Sequence, residues 1–380
     1  MWAGPAGVVA WPGSGVPALL GCDATVTASA PLRVQGATAY PVSAASARVR
    51  VANFVPFLAE HGVALTHIPT LRDDEYRLLS SPAHPARKAT VLARSAIRAL
   101  RLRHGQSVLL VHRLLTLTPV PLVDPPSRLD VYDFDDALLV GFAADSNRRF
   151  QWTKQEARRA IASMRAARLV LTGNSTLASQ AREHSKRVEV IPSCVDPAAQ
   201  PLHDHGDHET LRIGWIGSHT TVAYLEPLLP VIRRLSEGGA PVTLAVVGGD
   251  TGLREPWIEH RPWSAATQAE QLASFDIGVM PLPDTAWTRG KSGYKLLQYF
   301  SAGVPAVASP VGVNAEFVSG GRGLAASSAE EWERALTELL SDAGARRERG
   351  IAARRFVESE YSYQRWAPEL AALLLPLRRA

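Results

Sequence analysis

The chain has 380 residues, more than one compact core usually holds, so two domains are the natural expectation. Hydrophobic residues make up 46% and charged residues 20%, with a net charge of +5, as in an ordinary soluble globular protein. The longest suspicious apolar run, Val108 to Val120, carries His112 and Arg113 and cannot span a bilayer. Two cysteines, Cys22 and Cys194, are too few for a disulfide framework and fit a reducing cytoplasm.

Residues 1–30 read as a loose N-terminal extension. Leu19-Leu20-Gly21-Cys22 has the outline of a lipoprotein cleavage site, yet no basic residue precedes it, and Pro12, Gly13, Gly15 and Pro17 interrupt the apolar stretch. Leu32–Tyr40 then reads as a strand, 41–47 as a small-residue loop, Arg48–His61 as a helix stopped by Gly62, and Val63–Ile68 as a strand. That is the start of a parallel α/β unit, continued by short β-rich runs at Val108–Val111, Leu129–Tyr132, Leu169–Thr172 and Val188–Ile191. Two stretches with helical spacing, about 87–103 and 148–168, hold most of the basic excess. Residues 1–200 carry 23 Lys+Arg against 15 Asp+Glu, whereas residues 201–380 carry 18 against 21. These faces read as solvated, or as a surface for anionic lipid or an anionic acceptor. Nucleic acid is not expected, because no aromatic residues are interleaved for base stacking.

Ala198–Glu209 reads as a polar linker. Its histidines, 203, 205 and 208, are expected to sit in a solvated loop rather than to bind metal. A second α/β series follows: strand Leu211–Ile216, helix Leu225–Glu237, strand Val242–Val247, helix Ala266–Phe275, strand Ile277–Met280, helix Ser292–Ala302 and strand Ala306–Ala308. Two doubly wound domains, 31–200 and 208–354, place ligands in a cleft at the strand carboxyl ends.

The segment Arg289–Asn314 carries most of the chemistry. Gly290 and Gly293 let backbone approach a ligand at a helix start, near Ser292 and Tyr294. Lys291, Lys295 and Gln298 fall at i, i+4 and i+7 and are expected on one helical face, where two ammonium groups beside a helix N-terminus suit a diphosphate. A wet amphipathic face is the plainer alternative.

This segment resembles the donor-binding motif of the GT-B retaining glycosyltransferases of family 4. There, two glutamates eight positions apart flank a glycine, followed by an alanine-rich turn with Gly-x-Pro and a valine strand. Gly293 and Ala302-Gly303-Val304-Pro305-Ala306-Val307-Ala308-Ser309 match it. So do Leu169–Asp196, similar to the family's last N-domain strand and interdomain connector, and Phe356–Tyr363, similar to the helix that crosses back to the first domain. Residues 355–380 are accordingly expected on the first domain. The resemblance implies a GT-B fold and sugar transfer from a nucleotide-sugar with retention, without a metal or other cofactor, to an acceptor that is a glycan, a lipid-linked sugar or a small natural product. It implies a cytoplasmic enzyme, peripheral at the inner membrane face if the basic helices dock there.

The two family glutamates fall at Gly290 and Gln298; the amide can still bond a ribose diol, but Gly290 cannot grip the sugar. The family's basic pair after the first strand of the second domain is replaced by Gly217-Ser218-His219-Thr220-Thr221. Gly217, Ser218 and Thr220 offer backbone and hydroxyl donors there.

In the first domain, Asp133-Phe134-Asp135 has the outline of a metal-binding D-x-D, which is weak alone and does not fit this architecture. By position it resembles the place of a sugar-contacting histidine in family 4, so Asp135 or Asp133 would orient a hydroxyl or the acceptor. His112, ending the preceding strand, is expected to point into the cleft or to be a buried structural residue. Ser43 and Arg48 flank a small-residue loop that lines the cleft in this fold. The candidate catalytic set is thus Asp135, His112 and Lys295. A nucleotide-sugar epimerase on the same fold and a non-catalytic nucleotide-sugar-binding subunit are the competing readings.

Overall fold

The computed structural model describes residues 30–81, 84–102, 107–118, 123–127, 129–140, 155–206 and 208–379. The N-terminal extension with Cys22, and Arg103, Arg148, Arg149 and Lys154 of the basic stretches, lie outside them. Two six-stranded sheets follow one another along the chain. The first has the order β2-β1-β3-β4-β5-β6, with β1 Leu32–Thr38, β2 Val63–Pro69, β3 Val108–His112, β4 Val131–Phe134, β5 Leu169–Thr172 and β6 Val188–Val190. The second has the order β12-β11-β10-β7-β8-β9, with β7 Leu211–Ile216, β8 Val242–Val247, β9 Ile258–Arg261, β10 Ile277–Met280, β11 Ala306–Ala308 and β12 Gly323–Ala325. Every strand pairing is parallel, and helices connect the strands. This is the expected α/β class, with two doubly wound layers.

Parallel sheets covered on both faces need apolar residues at nearly every strand position. β3 (Val108–His112) and β5 are buried throughout. Alternate residues feed opposite faces: Leu110 and Leu169 enter one core of the first sheet, Leu109 and Val170 the other. In the second sheet Val247 and Val246 divide in the same way. The C-terminal helix Tyr363–Leu374 buries Tyr363, Leu370 and Leu374 against Leu32 and Val63 of the first sheet. Tyr363 fixes its seat by donating its hydroxyl to the Val49 carbonyl at 3.1 Å while accepting from Asn53 Nδ2 at 3.1 Å.

Several elements depart from the sequence expectation. The helix expected over 48–61 is a π turn, Arg48–Ala52, closed by the Asn53 amide on the Arg48 carbonyl, and then a short helix, Phe54–Ala59. The helix expected from Leu225 begins as a 3₁₀ turn, Val222–Leu225, and becomes α-helical only at Leu229–Glu237, where Pro230 fits the first turn. β4 begins two residues late because the Asp130 carboxylate takes the Leu109 amide at 2.9 Å, in place of a ladder bond. The edge strands β9 and β12 went unread: one is short and charged, the other three residues long.

The solvated-loop reading is corrected for His203, whereas His205 is half-buried and His208 is exposed. His203 is buried, its amide donating to the Ala302 carbonyl at 2.7 Å. The basic helices are real over Pro85–Leu100 and Glu156–Ala166, yet Arg159 is buried on Asp124 and Thr116, and Arg98 is tied to Glu75 and to the Thr70 carbonyl. Arg159 is an internal strut, and Arg98, though partly exposed, is held by its partners rather than free on a solvated face.

Candidate active site in the cleft

A cavity of about 490 Å³ opens between the carboxyl ends of the two sheets. Residues following β4 (Asp135, Asp136), β7 (Gly217, Ser218, Thr221) and β8 (Gly248) line it together with Met280 at the end of β10. The cleft floor is stitched by short contacts. Asn174 Nδ2 donates to the Gly290 carbonyl at 3.0 Å while its Oδ1 caps the helix Ser175–Arg182, and Ser292 Oγ donates to the Asp135 carbonyl at 2.9 Å.

On the second-sheet wall, Lys291, Ser292, Gly293, Tyr294, Lys295 and Gln298 all line the cavity. The helix runs Tyr294–Ser301, so Lys291 precedes it and the three polar residues do not share one helical face as expected; the loop and the first turns bring them to one wall instead. The start is set by Gly293, whose φ of +62° is left-handed and whose missing Cβ would lie 2.7 Å from Phe317 Cε2. The first-turn amides of such a helix point out of its end and suit an anion. Lys295 Nζ lies 5.1 Å from the Trp215 ring centroid, and Lys291 Nζ 5.4 Å from that of Trp287. Among the described residues neither ammonium has a carboxylate in salt-bridge range. Burial, together with the neighbouring Lys291 charge, pushes the Lys295 ammonium down to about 7, with Asp136 pulling weakly the other way.

On the first-sheet side the carboxylates, Asp133 within the protein and Asp135 and Asp136 at the cavity, are already committed. Asp133 faces His112 across the β3–β4 ladder, and it is buried between the Arg50 guanidinium, which bridges both of its oxygens, and His112 Nδ1 at 2.6 Å. Burial alone would raise the Asp133 carboxyl, but Arg50 and His112 together hold it below the usual range. Asp135 behaves likewise: burial opposes ionisation, and Arg113, assisted by His112 and Arg50, holds it well down. Arg113, at the left-handed φ of 58°, reaches Asp135 at 2.8 Å and also bridges Asp136. Across the cavity, Arg48 lies 5.1 Å over the Trp263 ring and donates to the Val42 and Ser43 carbonyls.

Four expected site residues stand elsewhere. His112 is 2% exposed and does not line the cavity; its Nε2 meets Ser46 Oγ at 2.6 Å and its other nitrogen meets Asp133, so it is the buried residue of the two readings. Asp133 is internal for the same reason. Gly290 does not line the cavity: an added Cβ would lie 2.7 Å from Ala137 Cβ and 3.1 Å from Leu177 Cδ2, so this glycine lets its loop approach those two residues of the first-sheet half. Thr220 is exposed and bonded to Ser218, while its neighbour Thr221 lines the cavity. Asp135, Ser43, Arg48, Gly217 and Ser218 do line it, and so do Tyr76, Trp263 and Gln268, which the sequence did not single out. Trp263 follows the unread strand β9, which is why it escaped notice.

Residues 210–342, which contain the second sheet and its Lys291–Gln298 wall, match the family model of the glycosyl transferases group 1. That match covers about a third of the chain, so this part is similar to the group 1 glycosyltransferases. The fold of the described residues is GT-B. It superposes on WaaG, a glycosyltransferase involved in lipopolysaccharide biosynthesis, with a TM-score of 0.60 at 14% identity over 90% of this chain and 98% of that one. A sucrose-phosphate synthase from Thermosynechococcus elongatus gives 0.65 at 14% identity over 91% and 99%. A S. aureus TarM variant in complex with fondaparinux, alpha-GlcNAc-glycerol and UDP gives 0.55 at 12% identity over 74% and 58%. No curated protein sequence matches this chain. Family domain and fold together support sugar transfer from a nucleotide-sugar. Among the described residues no helix is long and apolar enough to cross a membrane.

Proposed function

We propose that the enzyme transfers a sugar from a nucleotide-sugar to an acceptor hydroxyl with retention at the anomeric carbon, and that no metal ion takes part in the chemistry. The observation that carries this reading is the pair of ammonium groups, Lys291 and Lys295, beside the start of the helix Tyr294–Ser301, with no carboxylate in range among the described residues. Such a wall stabilises the charge that builds on a departing diphosphate as the anomeric C–O bond breaks. The acceptor oxygen would then bond to the anomeric carbon on the face just vacated, its proton passing to the leaving phosphate oxygen. Ser218, Thr221 and the Gly217 backbone lie at the same cavity and would add neutral donors. Gln298, 7% exposed on that wall, would meet the ribose.

Metal independence is supported by the committed state of Asp133 and Asp135. Asp133 spends both oxygens on Arg50 and His112, and Asp135 is held by Arg113, so the D-x-D outline does not offer two free carboxylates. The UDP in the TarM complex makes a nucleoside diphosphate the natural first probe. Purified enzyme should release nucleotide from one of a panel of nucleotide-sugars in excess chelator, with the anomeric configuration of the product read by NMR. A requirement for manganese, or an inverted product, contradicts the proposal.

A non-catalytic donor-binding subunit is favoured by one observation: the position of the family's first glutamate is the close-approach glycine, Gly290. Saturable nucleotide binding without release or transfer across the panel would establish that reading instead. For the first domain, Arg87, Lys88, Arg94 and Arg101 on or beside the helix Pro85–Leu100 support docking on an anionic surface. Co-sedimentation at low salt with anionic but not neutral vesicles is the expected result.

A further inference from the structure

The linker between the sheets crosses the amino end of β10, at the opposite end of that strand from the cavity. There it brings two histidines onto a buried aspartate. His208 Nδ1 lies 2.7 Å from Asp276 Oδ1, and His203 Nε2 lies 3.5 Å from the same oxygen. The three ligand atoms all fall within 4.8 Å of one another. A tetrahedral ion with bonds of about 2.0–2.1 Å holds its ligand atoms about 3.3 Å apart, so small side-chain rotations close this set on an ion.

The surroundings orient two of the three groups, His203 and Asp276, as metal ligands are usually oriented. His203 Nδ1 is 2.9 Å from the Ala273 carbonyl. A carbonyl only accepts, so Nδ1 carries the proton, and Nε2 of a neutral ring turns a lone pair toward a carboxylate oxygen. That lone pair stands 3.5 Å from Asp276 Oδ1 in a buried setting, an arrangement that a cation shared by both atoms would complete. Asp276 is itself aimed: its Oδ2 accepts the Arg212 amide at 2.7 Å, which leaves Oδ1 for the histidines. An imidazole bonded to a carbonyl through its second nitrogen and a carboxylate held by a backbone amide form the supporting shell of a designed-in site. His208 is the solvent-facing member, giving the ion an entry path and an open fourth position for water.

We propose that His203, His208 and Asp276 bind one divalent cation of the zinc type, which pins the interdomain linker to the second sheet. The ligand set, two imidazoles and one carboxylate, suits zinc better than magnesium or calcium, which prefer oxygen. The role is structural, because Asp276 precedes β10 while Met280 at its other end lines the cavity, about 13 Å away at the rise of a strand. The ion would fix where the linker leaves the second domain and hence the point about which the domains close.

The test is titration of metal-stripped full-length protein with zinc chloride, by calorimetry and by thermal melting. The expected result is one tight site per chain, a melting temperature that rises with zinc, and little response to magnesium. His208→Ala removes the exposed ligand with little threat to folding and should weaken binding at least tenfold and abolish the thermal shift. Asp276→Asn should do the same, whereas His260→Ala, which alters another histidine beside an aspartate, should change nothing. No stoichiometric binding by the wild type overturns the proposal. So does binding unchanged in both His208→Ala and Asp276→Asn, which would place the ion elsewhere.

Discussion

On the first-sheet side of the cleft Asp135 and Asp136, together with the buried Asp133, are set among Arg50 and Arg113, while the second-sheet wall gathers Lys291 and Lys295 beside aromatic rings. The first arrangement is neutralised from within the protein. Its charges fix strand ends and one another, and little potential is left for a ligand. The second leaves its positive charge to be completed by whatever enters the cavity. The two sides differ here less in residue type than in whether the counter-charge belongs to the chain.

The sharpest way to break this contrast is Asp133→Ala, which strands Arg50 without a counter-charge in the core. It should destabilise the fold by about 3–5 kcal/mol, read as a lowered denaturant midpoint. A loss below about 1 kcal/mol would mean that the pair is not buried as described. Next in size, Lys295→Ala should lower kcat/KM by about 2–4 kcal/mol equivalents with the melting temperature nearly unchanged. Arginine at the same position should restore only part, because a planar fork replaces a point charge. Near-normal turnover in Lys295→Ala would make this wall a solvated face and move the search for the diphosphate toward Ser218 and Arg48.

A smaller effect follows from protonation. The free Lys295 ammonium titrates near 7, and a bound diphosphate favours the charged form, so binding raises that value and takes up a proton. Nucleoside diphosphate affinity should therefore be flat at low pH and fall as pH rises above about 7, by at most about tenfold per pH unit. In Lys295→Ala this slope should vanish. An affinity that rises through the same range would contradict the assignment.

The two walls also differ in how far the sequence revealed them. Lys291, Gly293, Lys295 and Gln298 sit within eight residues, so glycine and charge spacing alone marked the segment, and only the start of its helix was misplaced. The doubly wound order of both sheets was legible for a similar reason, since buried strands read as apolar runs. The first wall depends on partners far apart in the chain. Nothing near Asp133 announces Arg50, and reading β4 two residues early put Asp133 at the strand end, in the cleft, rather than inside the ladder opposite His112. Gly290 misled in the opposite sense: a glycine at a helix start suggests a ligand, whereas here the close neighbour is Ala137, beyond β4 of the first sheet. The linker histidines looked solvated because Asp276 and the Ala273 carbonyl, some seventy residues on, give no local sign.

The central claim, that Lys291 and Lys295 are completed by a ligand's diphosphate, is tested most directly by comparing a nucleoside with its diphosphate. Calorimetric titration of the wild type should show the diphosphate binding far more tightly than the nucleoside of the same base. In the Lys291→Ala/Lys295→Ala double variant that advantage should disappear, with nucleoside affinity retained. A double variant that keeps the full diphosphate advantage would contradict the account.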